Sequence, residues 1–526
     1  MKNFLQNRLN IFYIFLFFYF IVGSYLSLSV GITHDEAHSN WVWELNKKKF
    51  LNIFFNKEYD VSYLETYHGF YGIGFYLVST PIEILYKNLV NIKNIDFEGN
   101  ILLLKHPIVF IFFVISGIFF RKIILLVTKD KLFSDLTTIL YLTYPYILGH
   151  SFFNIKDIPF MSVWLVNTFL IIKILDGIFN KILVKKKAFI TLGILTAYLL
   201  SLRISGILIF IEYLIFFIFY LNNFNIKFLN FLKPNVKNIF IFLTSFIFFS
   251  FLFYPSFWLD PLKFLDAFKF MSQHIQTACT VTLGDCMKAQ NLPTSYIFIW
   301  SFFKLPLIIL FGLLIFPFLE KKLFSLKTNI LLLAPLTCTV LSIIFLLIIF
   351  NVNLYDELRQ IMFLIPIIFL ISLIVLYNYS KKITLIITSF FIIFFIYQNI
   401  KLFPYNYLWL NNFNIFIQVD KNFEKDYWGV STKKIANYLN KNNLENNACV
   451  ISNRNEGIKH FLKSSNICLK PFSDLHKKNN RPFYVVMMER ALNKGTPINC
   501  TLIHEESIKI NLSQEKVSLA KVYKCI

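Results

Sequence analysis

Two carboxylates and two imidazoles crowd into Gly31-Ile32-Thr33-His34-Asp35-Glu36-Ala37-His38, directly after an apolar run. A carboxylate at the margin of a low-dielectric medium can have a raised pKa and take a proton from a hydroxyl, and that chemistry is expected of Asp35. Glu36 has a second reading. Thr33-x-x-Glu36 has the form of a capping box, opening an interfacial helix whose Trp41 and Trp43 sit at the headgroup level. Asp35 and His38 are candidate metal ligands, with His34 and with Asp157 further along, but no clear third partner stands beside them and the need for a divalent metal stays open.

A second polar turn, His150-Ser151-Phe152-Phe153-Asn154-Ile155-Lys156-Asp157-Ile158-Pro159, joins two apolar runs. Asp157 with Pro159 makes a good helix start. A turn this short also holds Asn154, Lys156 and Asp157 at the membrane edge facing Asp35, where they can bind a cation or orient a sugar-phosphate. Arg203, between two apolar halves, either snorkels to the interface or faces a polar cavity. Arg359 opens an apolar run just after Asp356 and Glu357, where a plain salt bridge is the modest explanation. Either guanidinium suits a phosphate, since its planar fork matches the oxygens. His68 can reach a lipid phosphate or be an ordinary interfacial histidine.

These turns need something to hold them, and the composition says what. With 526 residues, 56% hydrophobic and 16% charged, the chain must bury much of itself in lipid. The 64 Phe, beside many Ile, Asn and Lys, look partly like coding bias, so aromatic richness alone does not argue for a carbohydrate or nucleic-acid platform. The net charge of +22 arises largely from short Lys clusters between apolar runs, the positive-inside pattern, and nucleic acid is not an expected partner.

Apolar windows predict about eleven spans, near 10-30, 101-120, 132-150, 158-177, 188-202, 205-221, 238-255, 296-319, 329-350, 360-377 and 383-400. The Lys/Arg clusters fall on alternate loops, which makes those loops and the N-terminus cytoplasmic. The first span is too long for a signal peptide and lacks an A-x-A-like site, so it is expected to stay as a helix. The opposite loops carry Asp35, Glu36, Asp157, Asp260, Asp356 and Glu357. The first of them, about 31 to 100, includes Tyr67-Leu85, whose glycines fit an interfacial or re-entrant helix better than a span.

From residue 403 the texture changes to Asn, Lys and short alternating apolar runs. The expected division is therefore a transmembrane part, 1-402, and a small external α/β domain, 403-526. Its predicted strands are Ala448-Ser452, Asn466-Lys470, Phe483-Glu489, Cys500-Ile503 and Val517-Lys524, with a helix over Thr432-Leu439. Of seven cysteines all but Cys338 map outside; they are either free thiols or disulfides, most simply Cys279 with Cys286.

Taken in order, several motifs resemble the protein-mannosyltransferase-like group, glycosyltransferase family 39, of GT-C fold. They are Asp35-Glu36, Asn154-x-Lys156-Asp157-x-Pro159, Leu202-Arg203-x-Ser205-Gly206, Tyr254-Pro255-x-x-Trp258-x-Asp260-Pro261 and Leu358-Arg359-Gln360-x-x-Phe363-x-x-Pro366. Phe403-Pro404-Tyr405-Asn406-Tyr407 and Asp426-Tyr427-Trp428-Gly429 follow. The resemblance implies a polytopic α-helical membrane enzyme of the inner (plasma) membrane. It implies inverting transfer of a sugar from a polyprenyl-phosphate donor, on the external face, to a hydroxyl of a glycan, lipid or protein acceptor. Asp35 would be the general base, Glu36 would orient the acceptor or cap its helix, and Asp157 would support the base or a metal. Arg203 and Arg359 would hold the departing phosphate, and the apolar spans would groove the prenyl tail. A lipid donor fits a chain with no G-x-x-x-x-G-K-[ST] loop and no G-x-G-x-x-G after a strand. The rival reading is a lipid-linked sugar transporter or flippase, which usually carries ionisable groups near the midplane and paired repeats.

Overall fold

A helix crosses a bilayer when about 20 apolar residues run without a break. In the computed structural model, which describes residues 2–89, 97–274, 278–442, 448–463, 468–471, 483–488, 495–510 and 515–525, seven helical stretches meet that requirement. They are Glu98–Thr128, Asp157–Phe179, Ile204–Asn223, Phe228–Leu252, Lys327–Ile349, Arg359–Tyr379 and Lys381–Leu402. The four other expected spans, near 10-30, 132-150, 188-202 and 296-319, are helical as well among the described residues, two of them divided. Helix α1 (Lys2–Ser27) has a shorter apolar part, Ile11–Ser27, among the described side chains.

Proline explains two of the breaks. The expected span at 132-150 divides into α5 (Lys131–Thr143) and α6 (Pro145–Ser151), with Tyr144 extended at ψ 115. The span at 296-319 divides into α12 (Ser295–Lys304) and α13 (Leu307–Leu323) around extended Leu305 and Pro306. A residue that precedes proline is pushed out of the α region, so each run ends there. Helix α8 (Lys186–Leu202) has only 17 residues.

Between residues 31 and 89 none of the helices meets the length and hydropathy of a span. This segment contains α2 (His34–Phe55), two 3₁₀ turns at Ser62–Glu65 and Tyr67–Phe70, and the 16-residue α3 (Gly74–Leu89). Next come α4 (Phe97–Thr128), α7 (Asp157–Phe179), α9 (Ile209–Asn223), α10 (Phe228–Leu252) and α11 (Lys263–Ser272). The membrane part closes with α14 (Lys327–Ile349), α15 (Ile365–Tyr379) and α16 (Lys381–Leu402). The spans led by α7 and α15 are mostly buried, whereas α10 keeps Phe240, Ile247 and Phe248 exposed, as a lipid-facing helix does.

Beyond α16 the chain does not leave the helices at once. Tyr405, Tyr407, Trp409, Phe423 and Trp428 lie in the same buried cluster as the transmembrane helices. A separate core starts with Ile435 and Leu439 of α17 (Thr432–Lys441), packed on Val450, Val486 and Val522. Its sheet has the order β4-β3-β5-β7-β6, built from β3 (Cys449–Ser452), β4 (Cys468–Pro471), β5 (Phe483–Met488), β6 (Cys500–Lys509) and β7 (Lys516–Cys525). Strand β3 is parallel to both β4 and β5, and β7 is antiparallel to both β5 and β6. Four of these strands follow the sequence expectation to within a residue or two, with residues 466, 467 and 489 lying outside the described residues, whereas β6 runs on to Lys509, six residues beyond the expected Ile503. A disulfide joins Cys279 to Cys286 across the hairpin of β1 (Cys279–Thr282) and β2 (Asp285–Lys288), and another joins Cys500 to Cys525.

Candidate active site

The turn from α6 to α7 is shaped by one amide. Asn154 Oδ1 accepts from the backbone N–H of Asp157 at 2.9 Å and of Lys156 at 3.2 Å, and its Nδ2 donates to Asp157 Oδ2 at 2.9 Å. Asp157 is thereby fixed as the first residue of α7, where the helix dipole favours a carboxylate. The turn sits low because Gly149 has no side chain: a Cβ there would lie 2.1 Å from the backbone nitrogen of Tyr407. Arg203 ends α8 in extended conformation and pairs with Asp157. Gly72 lets the 67–74 segment settle on the same corner, since a Cβ would come within 2.3 Å of the Leu202 carbonyl.

Arg359 arrives from the opposite direction, behind a turn in which Asp356 and Glu357 both have positive φ, 55° and 66°. Two successive non-glycine residues in this region cost roughly 1–3 kcal/mol each, so the surroundings must impose the turn. Asp356 is held by the Thr280 hydroxyl on its backbone N–H at 2.8 Å, and Glu357 by the Tyr296 hydroxyl at 3.0 Å. Arg359 then donates to Asp356 Oδ2 and to Asp35 Oδ2, each at 3.0 Å, with its Nε 3.7 Å from Asp157 Oδ2. Its guanidinium lies over the Trp428 ring at 4.3 Å. Lys156 Nζ completes the group, 3.8 Å from Asp35 Oδ2 and 4.8 Å from the centre of the Tyr71 ring.

Asp35, Asp157, Lys156, Arg203 and Arg359, expected from the sequence to meet, thus converge at one end of the helices. They are not equally accessible: the Asp35 side chain is 29% exposed and that of Asp157 2%. The raised pKa expected of Asp35 is reversed. Burial pushes its carboxyl up, but Lys156 and Arg359 together outweigh burial and hold it well below the usual carboxylate range. Lys156 in turn is lowered by burial, with Asp35 opposing.

Three other expected site residues are engaged otherwise. Glu36 is 1% exposed and fully engaged: its Oε2 takes the backbone N–H and hydroxyl of Thr33, each at 2.7 Å, and its Oε1 lies 2.6 Å from His106 Nε2. Asn154 is spent on Asp157. His68 packs on His38, with 3.2 Å between their nitrogens, beside Trp41 and Tyr67. His38 faces His68 and not the aspartates, and among the described residues no group of three His, Cys, Asp or Glu is disposed to hold a metal ion. Between Asp35 and Asp157 stands the Arg359 guanidinium, so this pair as arranged does not fit a divalent cation.

No family model matches the chain, and no curated protein does. Among solved structures the chain is similar in trace to ArnT from Cupriavidus metallidurans bound to undecaprenyl phosphate, with TM-score 0.48 and 11% identity over 98% of each chain. The same protein in the apo state gives TM-score 0.48 and 10% identity over 98% of this chain and 97% of that one.

Sequence reasoning missed the support behind Arg359. Lys304 and Glu357 form an ion pair of 2.8 Å, at 0% and 1% exposure. Burial lifts the Glu357 carboxyl to about 7, against the opposing charge of Lys304. The signal was present, a single Lys inside the apolar run 296-319 with an acid two residues before Arg359. The segments at 403-407 and 426-429 also belong here. Lys304 donates to the Tyr407 carbonyl at 3.2 Å, the Tyr407 hydroxyl pairs with Asp426, and Asp426 receives the backbone N–H groups of Val430 and Ser431. Trp428 is thereby set under Arg359. The Tyr254-Asp260 segment instead anchors α2: the Ser256 carbonyl accepts from Lys49 at 3.0 Å and its hydroxyl donates to Asn46 at 2.8 Å. Two apolar cavities between helices, one against Leu307, Phe311, Leu376 and Phe391 and one against Phe316, Phe324 and Cys338, include no residue of the acid–arginine cluster.

Proposed function

We propose that the chain is a membrane glycosyltransferase of GT-C type that moves a hexose or pentose from a polyprenyl-phosphate donor to an acceptor hydroxyl, with inversion. The observation that carries this reading is the sharing of Arg359 by Asp35 and Asp157, with Lys156 and Arg203 alongside, at the ends of membrane helices. Two cations at the partly exposed Asp35, and a third at the neighbouring Asp157, match the needs of one displacement. The acceptor oxygen attacks the anomeric carbon, its proton passes to Asp35, and the bond from that carbon to the phosphate oxygen breaks. The negative charge left on the lipid phosphate is met by Arg203, Arg359 and Lys156, placed in advance. Asp35 takes the base role because it is the more open of the two aspartates. Asp157, tied to Asn154 and Arg203, is a positioning residue, as are Asn154 and Glu36.

The depressed Asp35 pKa gives this reading a further step. In the donor-free protein the cations neutralise the aspartates. An arriving phosphate competes for the same guanidinium and ammonium groups, Asp35 loses part of its counter-charge, and its affinity for a proton rises as the substrate seats. The placement we adopt is the inner (plasma) membrane, N-terminus cytoplasmic, with the site and the C-terminal sheet external, as the positive-inside pattern suggests. The assignment to mannosyltransferase-like family 39 rests on the motifs alone.

The test is to supply the purified chain in lipid nanodiscs with a panel of polyprenyl-phosphate sugars and measure release of lipid phosphate. Release that disappears in Asp35→Asn supports the enzyme. Passage of intact sugar-lipid across a vesicle bilayer, without release, would replace it with the flippase.

A further inference from the structure

Beside the acid–arginine cluster lies a second group of side chains that the displacement does not use. Four elements bring it together: α2 supplies His38 and Trp41, the two 3₁₀ turns supply Tyr63, Tyr67 and His68, and the end of α11 leads to His274. The rings interlock, with Trp41 5.4 Å from Tyr63 and 5.0 Å from His68, and Tyr67 4.0 Å from His68 and 5.5 Å from His274. Trp41, Tyr63 and Tyr67 keep 37%, 53% and 41% of their surface exposed. Behind them the polar atoms pair inward, His38 with His68 at 3.2 Å and the Tyr71 hydroxyl with His274 at 2.8 Å.

We propose that this shelf binds the acceptor as an uncharged saccharide, stacked on Trp41 and Tyr67 so that a hydroxyl is delivered to Asp35; the acceptor role rests on the transferase reading above. Position is the first argument. His38 is one helical turn from Asp35, and Tyr71, which contacts His38 and His274, lies under the Lys156 that pairs with Asp35. A ligand on the rings therefore lies next to the base. Charge is the second. Burial, and for two of the three the neighbouring Lys156, holds the shelf's imidazoles uncharged: His38 is lowered to about 4, and His68 and His274 are lowered too. Neutral rings whose faces are weakly negative suit the C–H face of a sugar, and the hydrogen bonds behind them hold the rings in place. Aromatic residues that merely float at the headgroups need no such hydrogen-bonded second layer.

The experiment uses the full chain in nanodiscs and neutral tetrasaccharides of mannose, glucose and N-acetylglucosamine as probes, with binding read by saturation-transfer NMR. At least one probe should bind, and Trp41→Ala and Tyr67→Ala should each weaken it about tenfold, with Trp41→Phe recovering most of the loss. Release of lipid phosphate to water should be unchanged in these variants. Absence of binding by all three probes, or binding indifferent to both alanine variants, would overturn the shelf. Loss of nanodisc insertion without a change in saccharide binding would do so as well, and would make the rings a membrane anchor. Failure of the wild type to release lipid phosphate would count against the transferase while leaving the saccharide site standing.

Discussion

Asp35 and Glu36 are neighbours in the sequence and opposites in the fold. Glu36 belongs to a closed cluster: Thr33 and His106 use both its oxygens, and nearby Lys105, 2.6 Å from Asn40 and 3.5 Å from Glu83, is equally shut in. Asp35 belongs to an open one, where Arg359 is divided among three aspartates and Lys156 and Arg203 remain 17% and 24% exposed. The closed cluster has one low-energy arrangement. The open one has charges in competition, and a new anion can redistribute them. Ion pairs of the first kind hold a helix; those of the second are suited to bind and react.

Substitution separates the two most sharply. In Asp35→Asn, transfer should fall by about 10²- to 10⁴-fold, the usual worth of a general base, while thermal unfolding in detergent stays close to wild type. Near-normal turnover by the purified variant would remove Asp35 from the chemistry. Glu36→Ala should do the reverse, leaving the buried polar groups of Thr33 and His106 without their acceptor and costing about 1–3 kcal/mol of stability. A variant as stable as the wild type but inactive would place Glu36 in the open cluster after all.

The difference between the clusters was only half legible in the sequence. That Asp35, Asp157, Arg203 and Arg359 meet could be read, because each lies where an apolar run ends and a bilayer confines such points to a single edge. The cap on Glu36 could be read too, from Thr33 three residues before it. What could not be read was who pairs with whom. The raised pKa expected of Asp35 followed from burial alone, and it fails because Lys156 and Arg359, remote in sequence, arrive beside it. The same holds for Lys304 with Glu357, and for Trp43, expected at the headgroups but buried and stacked on Tyr76. The broken spans were misread for a local reason: an apolar window does not register that Pro145 and Pro306 force extended residues before them. Apart from the length of β6, the C-terminal strands could be read because short apolar, β-branched runs bounded by polar residues are a local property.

A subtler comparison keeps the charge of Arg359 and changes only its shape. Arg359→Lys retains a cation but cannot reach Asp35 and Asp356 at once while lying flat on Trp428. One lost hydrogen bond to a charged group is worth about 1.5–3 kcal/mol, so kcat/KM for the donor should fall about 10- to 150-fold. Full activity would mean that the guanidinium serves only as a point charge, and that the open cluster is held together as tightly as the closed one.

The smallest effect tests whether the open cluster rearranges at all. In the free protein Asp35 is held ionised by Lys156 and Arg359 to well below the usual carboxylate range. A depressed folded-state pKa contributes stability that is complete above the unfolded value of about 3.9 and is lost only as pH falls below it. The free protein should therefore keep the contribution of Asp35 at mildly acidic pH. If donor phosphate draws the cations away, the carboxylate becomes easier to protonate in the complex. The acidic limb of kcat, which reports the complex, should then lie above that of kcat/KM for the donor, which reports the free enzyme, by about one pH unit for each 1.36 kcal/mol of counter-charge withdrawn. Coincident limbs would show that Lys156 and Arg359 stay on Asp35 throughout turnover. Glu36 supplies the control, since a phosphate at Arg359 meets none of its partners.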